Sequence, residues 1–191
     1  MRDYAKGRTG GGRRVVLGVM LGVVALWQAG VASASVLVGT SAFKWATSSQ
    51  VRAMRARDNG TVHGKIISYR GLVAHVVVVV PQPEFPFPKF AVHHVANPTL
   101  EFRAGATVKF TFINRVMGFS HSLQITRTGP PFPMFPKVQP VLAGTELSPS
   151  PKSRKSPYAT FTWRPTAGHY YYLCAVPGHA EMGMFGDIIV K

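Results

Sequence analysis

Carboxylates are what this chain has least of. Seven of its 191 residues are Asp or Glu, against 22 Lys and Arg, and the net charge is +15. Acid unfolding comes largely from carboxylates that are ionised and paired in the folded state and then take up protons. A chain with so few has few such groups to lose, so the composition implies tolerance of acidic surroundings. Cysteine is nearly absent too. Cys174 stands alone, which excludes an intrachain disulfide. Long apolar runs are also missing. Val15 to Leu26 is uniformly apolar or Gly, but a membrane-spanning helix needs about 20 such residues. There is no internal repeat, and helix signals are scarce.

The N-terminus reads as an export signal. Arg2, Lys6, Arg8, Arg13 and Arg14 precede the apolar run, and Ala32-Ser33-Ala34 is a small-residue cleavage pattern. Because no charge falls between Arg14 and Lys44, an uncleaved anchor is the alternative. Arg13-Arg14 gives a faint twin-arginine hint. No Cys near the cleavage point supports lipid attachment. Removing residues 1–34 takes away five bases and one acid and leaves a net charge of +11. The remaining length suits one domain with a real core. Such positive charge suits nucleic acid, anionic lipid or an acidic protein. Nucleic acid is set aside, because an exported protein rarely meets it and the bases do not cluster. The densest group, Lys152-Ser153-Arg154-Lys155, reads as a solvated loop.

Gly (19) and Pro (15) are plentiful, and Val, Thr, Phe and Tyr recur in short runs. This mixture favours an all-β domain. The pattern predicts a leader over 1–34, an extension with a helix over 35–60, and a β domain over 61–191. The helix is expected at 45–58, with Thr47-Ser48-Ser49-Gln50 as a capping box and Asn59-Gly60 as its stop. Strands are expected at 62–69, 73–80, 89–95, 99–103, 107–114, 120–126, 159–164, 169–174 and 184–190. Val76 to Val80 should be buried on both faces. Residues 129–158, rich in Pro, Ser and Lys, read as a long surface connection. About nine short strands between turn signals argue for a β-sandwich.

The chemistry concentrates near the C-terminus. A strand delivers Cys174, Pro177-Gly178 turns the chain, His179 lies in the turn and Met184 opens the last strand. Upstream, Gly118-Phe119-Ser120-His121 puts a second imidazole at the mouth of another strand. Thiolate and thioether are soft ligands that suit Cu(I), and imidazole suits both oxidation states. Two His and one Cys in a plane with a weak axial Met form the arrangement in which copper changes charge with little rearrangement. That suits a one-electron carrier rather than an enzyme, since an oxidase needs an open position or further metals. Met182 and Met117 compete for the axial place. Met184 is preferred because pleat alternation at a strand start aims it inward.

Other readings weigh against this one. Singly, a buried Cys or Met is more often core, and a lone His is more often structural. Structural zinc prefers four Cys/His ligands and no thioether. A cysteine hydrolase would pair Cys174 with His179, but no third orienting residue is evident. A copper chaperone or store would use the methionines to capture Cu(I). A multicopper oxidase is disfavoured by the absence of His-x-His pairs. His63, His75, His93, His94 and His169 read as structural or surface residues, with His93 and His94 pointing to opposite faces of a strand.

These residues resemble the cupredoxin (type 1 blue copper) family, in its branch from acidophilic iron-oxidising bacteria. The likeness runs over about residues 43–191. It is carried by NPTLEFRAGATV at 97–108, TFIN at 111–114, GFSHS at 118–122, FTWRPTAG at 161–168, residues 174–191, FPFP at 85–88 and GPP at 129–131. The resemblance implies a Greek-key two-sheet sandwich and one copper ion on His121, Cys174, His179 and Met184. It also implies a periplasmic role passing electrons between redox proteins such as cytochromes during ferrous-iron oxidation, with the protein working as a monomer. Ser122 matches that branch. Val116 and Gln124 depart from it, standing where Asn and Asp are expected, and Val116 would remove a polar group near the ligands and alter redox tuning.

His179, flanked by Pro177, Met182 and Phe185, reads as the electron port within an apolar patch. The dry shell and neutral axial sulfur imply a high-potential couple. For acid tolerance, the expected result is that circular dichroism of the copper-loaded protein changes little between about pH 7 and pH 2. Steep loss of structure below about pH 4 would contradict the compositional argument.

Overall fold

The computed structural model describes residues 43–81, 88–151 and 154–191. The expected leader over 1–34 lies outside them, as do the first three residues of the FPFP match. Among the described residues, no helix is long and apolar enough to cross a membrane.

The chain enters as strand β1 (Lys44–Thr47) and turns into helix α1 (Ser48–Arg55). The expected capping box is present: the Thr47 hydroxyl accepts from the Gln50 N–H at 3.3 Å, and the Gln50 side chain accepts from the Thr47 N–H at 2.8 Å. The helix is shorter than expected because residues 44–47 pair with a later strand. Val51 is its buried contact, packed with Ala46, Val77, Val79 and Ile113. That contact explains the continuous apolar run of β4 (Val73–Val80). Val76, Val78 and Val80 face the main core, while Val77 and Val79 face the cluster that holds Val51.

Two expected strands are hairpins instead. Residues 61–69 form β2 (Thr61–His63) and β3 (Ile66–Tyr69), with Gly64 turning at φ +62°. Residues 91–96 form β5 (Ala91–Val92) and β6 (Val95–Ala96), joined by His93 and His94 at φ 47° and 67°. A two-residue hairpin loop takes left-handed backbone at both positions. The two histidines therefore sit on a turn, not on opposite faces of a strand.

The remaining strands are β7 (Thr99–Phe102), β8 (Thr107–Asn114), β9 (Gln124–Thr126), β10 (Pro140–Ala143), β11 (Lys155–Trp163), β12 (Gly168–Leu173) and β13 (Phe185–Val190). One sheet runs β1-β11-β8-β4-β5-β6 and the other β10-β9-β12-β13-β7-β3-β2. The all-β sandwich is as expected. The 129–158 stretch is not merely a surface connection: β10 and the first residues of β11 lie in it. Its prolines and serines hide Leu142, which is buried in the core beside Ile125 of β9.

Leu100, Phe110, Phe112, Ile125 and Tyr172 fill the core between the sheets. The Tyr172 hydroxyl donates to the Pro98 carbonyl at 2.6 Å. Its ring lies so close to Gly186 that a Cβ there would meet Tyr172 at 2.3 Å, so only glycine fits.

Asp58 ties the extension to the sandwich. Its side chain is 3% exposed. It accepts from the Gly60 N–H at 3.0 Å, the Val77 N–H at 2.7 Å and the Tyr69 hydroxyl at 3.0 Å, and pairs with His93 Nε2 at 2.7 Å. Burial first, and the nearby carboxylate second, hold the Tyr69 hydroxyl firmly protonated. Deleting the carboxylate leaves buried donors without an acceptor, each costing about 1–3 kcal/mol. Asp58→Ala is therefore expected to lower stability in urea by about 3 kcal/mol. By contrast Lys191→Ala, which breaks the half-exposed pair to Glu101, should cost under about 1 kcal/mol.

Candidate metal centre

The first imidazole is positioned by the loop that leaves β8. Asn114, the last residue of that strand, is fully buried. Its Nδ2 donates to the carbonyls of Phe119 and Ser148, both at 2.9 Å, and its Oδ1 accepts from the Val116 N–H at 3.0 Å. One side chain thus closes the loop onto the segment that follows β10. His121 then makes a two-way backbone bridge with Leu147: its N–H donates to the Leu147 carbonyl at 3.0 Å, and its carbonyl accepts from the Leu147 N–H at 2.7 Å. Val116 leaves no gap in this scaffold. Its side chain joins the core, its N–H is taken by Asn114, and its carbonyl accepts from Ser150 at 2.6 Å.

The other three residues come from the loop between β12 and β13. The His179 N–H donates to the Val176 carbonyl at 3.1 Å, the Met184 N–H to the His179 carbonyl at 2.9 Å, and the Cys174 N–H to the Met184 carbonyl at 3.2 Å. Gly178 at φ +80° and Gly183 at φ +94° make the two turns. Asn97 braces the loop from outside, donating to the Gly183 carbonyl at 2.7 Å.

The result brings together three of the four residues expected from the sequence, His121, Cys174 and His179. Cys174 Sγ lies 3.5 Å from His179 Nδ1 and 3.9 Å from His121 Nδ1. The three donor atoms all fall within 4.8 Å of one another. Met184 is fully buried in the same cluster as Cys174, whereas Met117 and Met182 are half-exposed. Ser122 approaches the sulfur from behind. Its N–H lies 3.3 Å from Cys174 Sγ, its hydroxyl donates toward the sulfur from 3.8 Å, and that hydroxyl accepts from the Ala175 N–H at 2.8 Å.

Burial dominates the electrostatics. It pushes the Cys174 thiol up, against the bonds from Ser122. It pulls His121 down to about 3, with the neighbouring His179 adding to the shift, and it lowers His179 as well. A dry, neutral thiol is a poor nucleophile, which removes support for a cysteine hydrolase. The donor set fits a soft, borderline metal: two imidazoles and a sulfur converge through one atom each, with a thioether nearby.

Sequence reasoning missed several supporting residues. Asn114 lies seven positions before His121, not at the expected 116. Leu147 was submerged in a Pro/Ser-rich stretch. Glu146, next to it, is the carboxylate whose charge opposes both the ionisation of Cys174 and the lowering at His179. Apolar Leu142 and Leu147 were the available signal. Of the other histidines, His93 bonds Asp58 and His169 bonds Asp187; neither joins the cluster.

A two-sheet sandwich that brings one Cys and two His together at a buried point, with Met184 buried in the same core, defines a cupredoxin, the class of type 1 copper proteins. No protein-family model matches the chain. It is 51% identical over 175 residues to the rusticyanin of Acidithiobacillus ferridurans, covering 91% of this chain and 94% of that protein. It is 54% identical over 149 residues to a rusticyanin of Acidithiobacillus ferrooxidans, covering 78% and 96%. The solved structure of rusticyanin from Thiobacillus ferrooxidans superposes with a TM-score of 0.74 at 50% identity, over 79% of this chain and 98% of that one. The chain belongs to the rusticyanin family.

The lowered His121 makes a test of the metal-free protein. The unfolded imidazole titrates near 6.5 and the folded one near 3. The stability it contributes is fully present above the unfolded value and is lost as pH falls toward the folded one. The urea midpoint of the metal-free protein should therefore fall steadily between about pH 6.5 and 3. His121→Gln should flatten that slope, and an unchanged slope would contradict the buried neutral imidazole.

Proposed function

We propose that the protein is an exported, periplasmic one-electron carrier. Its single copper ion is held by His121, Cys174, His179 and Met184. The observation that carries this reading is the convergence of Cys174 Sγ and two Nδ1 atoms in a fully buried cluster, with Met184 beside it. Bound there, copper supplies a couple between two charge states. The chain supplies a rigid, water-free cage in which neither state needs new ligands. Donation from Ser122 draws electron density from the sulfur, and burial disfavours the higher charge, so the couple sits at high potential.

Electrons enter and leave through His179. The residue is 7% exposed, and its ring meets the Phe119 ring edge-on at 6.4 Å between centroids. Phe119, Met117, Met134, Phe135 and Met182 are exposed. The Gly178 N–H donates to the Met134 carbonyl at 2.7 Å, which holds the 134–135 loop beside the port. An apolar rim of this kind suits brief docking of redox partners. Those partners are c-type cytochromes of a ferrous-iron-oxidising chain, met by a monomer. The exposed methionines also favour a second reading, delivery or storage of Cu(I). Rapid, reversible electron exchange with a cytochrome supports the carrier. Copper transfer to a metal-free enzyme without electron exchange supports the chaperone.

Adding Cu(II) to the purified protein should produce intense visible absorption from sulfur-to-copper charge transfer. Cys174→Ala should abolish it. Met184→Leu should change the spectrum and the potential, while Met182→Leu should leave both near those of the parent protein. A response at Met182 alone would reassign the axial ligand, and colour surviving in Cys174→Ala would end the copper reading.

A further inference from the structure

Away from the copper cage, the hairpin tip that carries His93 and His94 faces the last turn of α1. Between them is a cleft of about 400 Å³ lined by Arg52, Arg55, Ala56, Asp58, Val77, His93 and His94. A second cavity of about 220 Å³ shares Arg52 and Arg55 and adds Ser48, Arg115 and Ser156. We propose that this cationic cleft binds a tetrahedral oxyanion, inorganic phosphate or sulfate.

Three features of the site carry the proposal. Positive charge is in excess there. Asp58 is the carboxylate of the first cleft, and it is already committed to Gly60, Val77, Tyr69 and His93. Among the described residues, no carboxylate forms an ion pair with Arg52, Arg55 or Arg115. Gathering like charges without a counter-ion is unfavourable, and a bound dianion removes the repulsion.

The geometry suits an oxyanion better than a spherical ion. Arg52 and Arg55 are three residues apart and share one face of α1. Guanidinium forks match the paired oxygens of phosphate and sulfate. Arg55 contacts His94 Nε2 across the cleft, so the helix and the hairpin tip reach the same point. Ser48 and Ser156 add hydroxyl donors on the far side of the two arginines.

The backbone also pays to place the imidazoles. His93 and His94 both adopt left-handed φ, which costs a residue other than Gly, Asn or Asp stability. Asn or Gly would meet the demands of such a turn more cheaply. His93 is held in place by Asp58, and His94, exposed at the tip, meets Arg55 through Nε2 and so turns that guanidinium toward the cleft.

The test uses the copper-loaded protein at fixed pH. Phosphate and sulfate should each raise the melting temperature saturably beyond chloride at matched ionic strength. The Arg52→Gln/Arg55→Gln variant should weaken that binding at least roughly tenfold. Lys109→Gln, on the exposed face of β8, should not. Amide shifts on adding phosphate should localise to residues 52–58 and 91–97. An equal effect of chloride, or an undiminished one in the arginine variant, overturns the site. Phosphatidylglycerol vesicles separate a free ion from a lipid headgroup. Arginine-dependent capture by vesicles without a response to free phosphate would overturn the free-ion assignment.

Discussion

Everything at the copper end depends on holding one sulfur and two imidazoles a few ångströms apart in a place without water. Burial opposes charge on each of them: it raises the thiol and lowers both histidines. In the metal-free chain burial therefore favours the uncharged form of each group, a bound metal takes the sulfur as thiolate, and the energy that holds them close comes from elsewhere. It comes from backbone hydrogen bonds that fix the loop before a metal arrives: Cys174 to Met184, Met184 to His179, His179 to Val176, and His121 to Leu147. A preformed cage loses little when the charge on the ion changes, and that is the property a carrier needs.

The same preorganisation extends outward through single side chains that each close a long loop. Asn114 gathers three segments with one amide. Asn97 closes the β5–β6 hairpin by accepting from the Phe90 N–H, and its amide holds Gly183 next to Met184. Asp58 joins the helical extension to β3, β4 and the hairpin tip. Each is a hydrogen-bonded polar group at least partly buried, so each favours one arrangement of the chain over its near alternatives. With so few carboxylates, Asp58 carries an unusual share of that work.

Much of this was legible in the residue order. The capping box at Thr47 and Gln50, the doubly buried Val76 to Val80 and the Cys174-to-Met184 loop are all local patterns, and local patterns survive into the fold. The failures were local patterns overruled at a distance. Residues 45–47 fall in the expected helix but pair with β11. His93 and His94 continue an apolar run, yet the chain turns there because β5 and β6 pair with each other. Pro-rich composition concealed β10, whose Leu142 earns its place only against Ile125.

The sequence by itself determined the donor types and most of their placement. Cys174, His179 and Met184 are spaced five residues apart, and two glycines suffice to fold that interval into one loop. It also determined the β class, because period-two runs between turn residues have few other uses. Only the tertiary structure decided that Asn114 rather than position 116 braces the first imidazole, that Ser122 sits behind the sulfur, and that Arg52, Arg55, His93 and His94 face one cleft. Those relations join residues up to about fifty positions apart. They arise from which strands lie side by side, a choice made by the packing of two whole sheets.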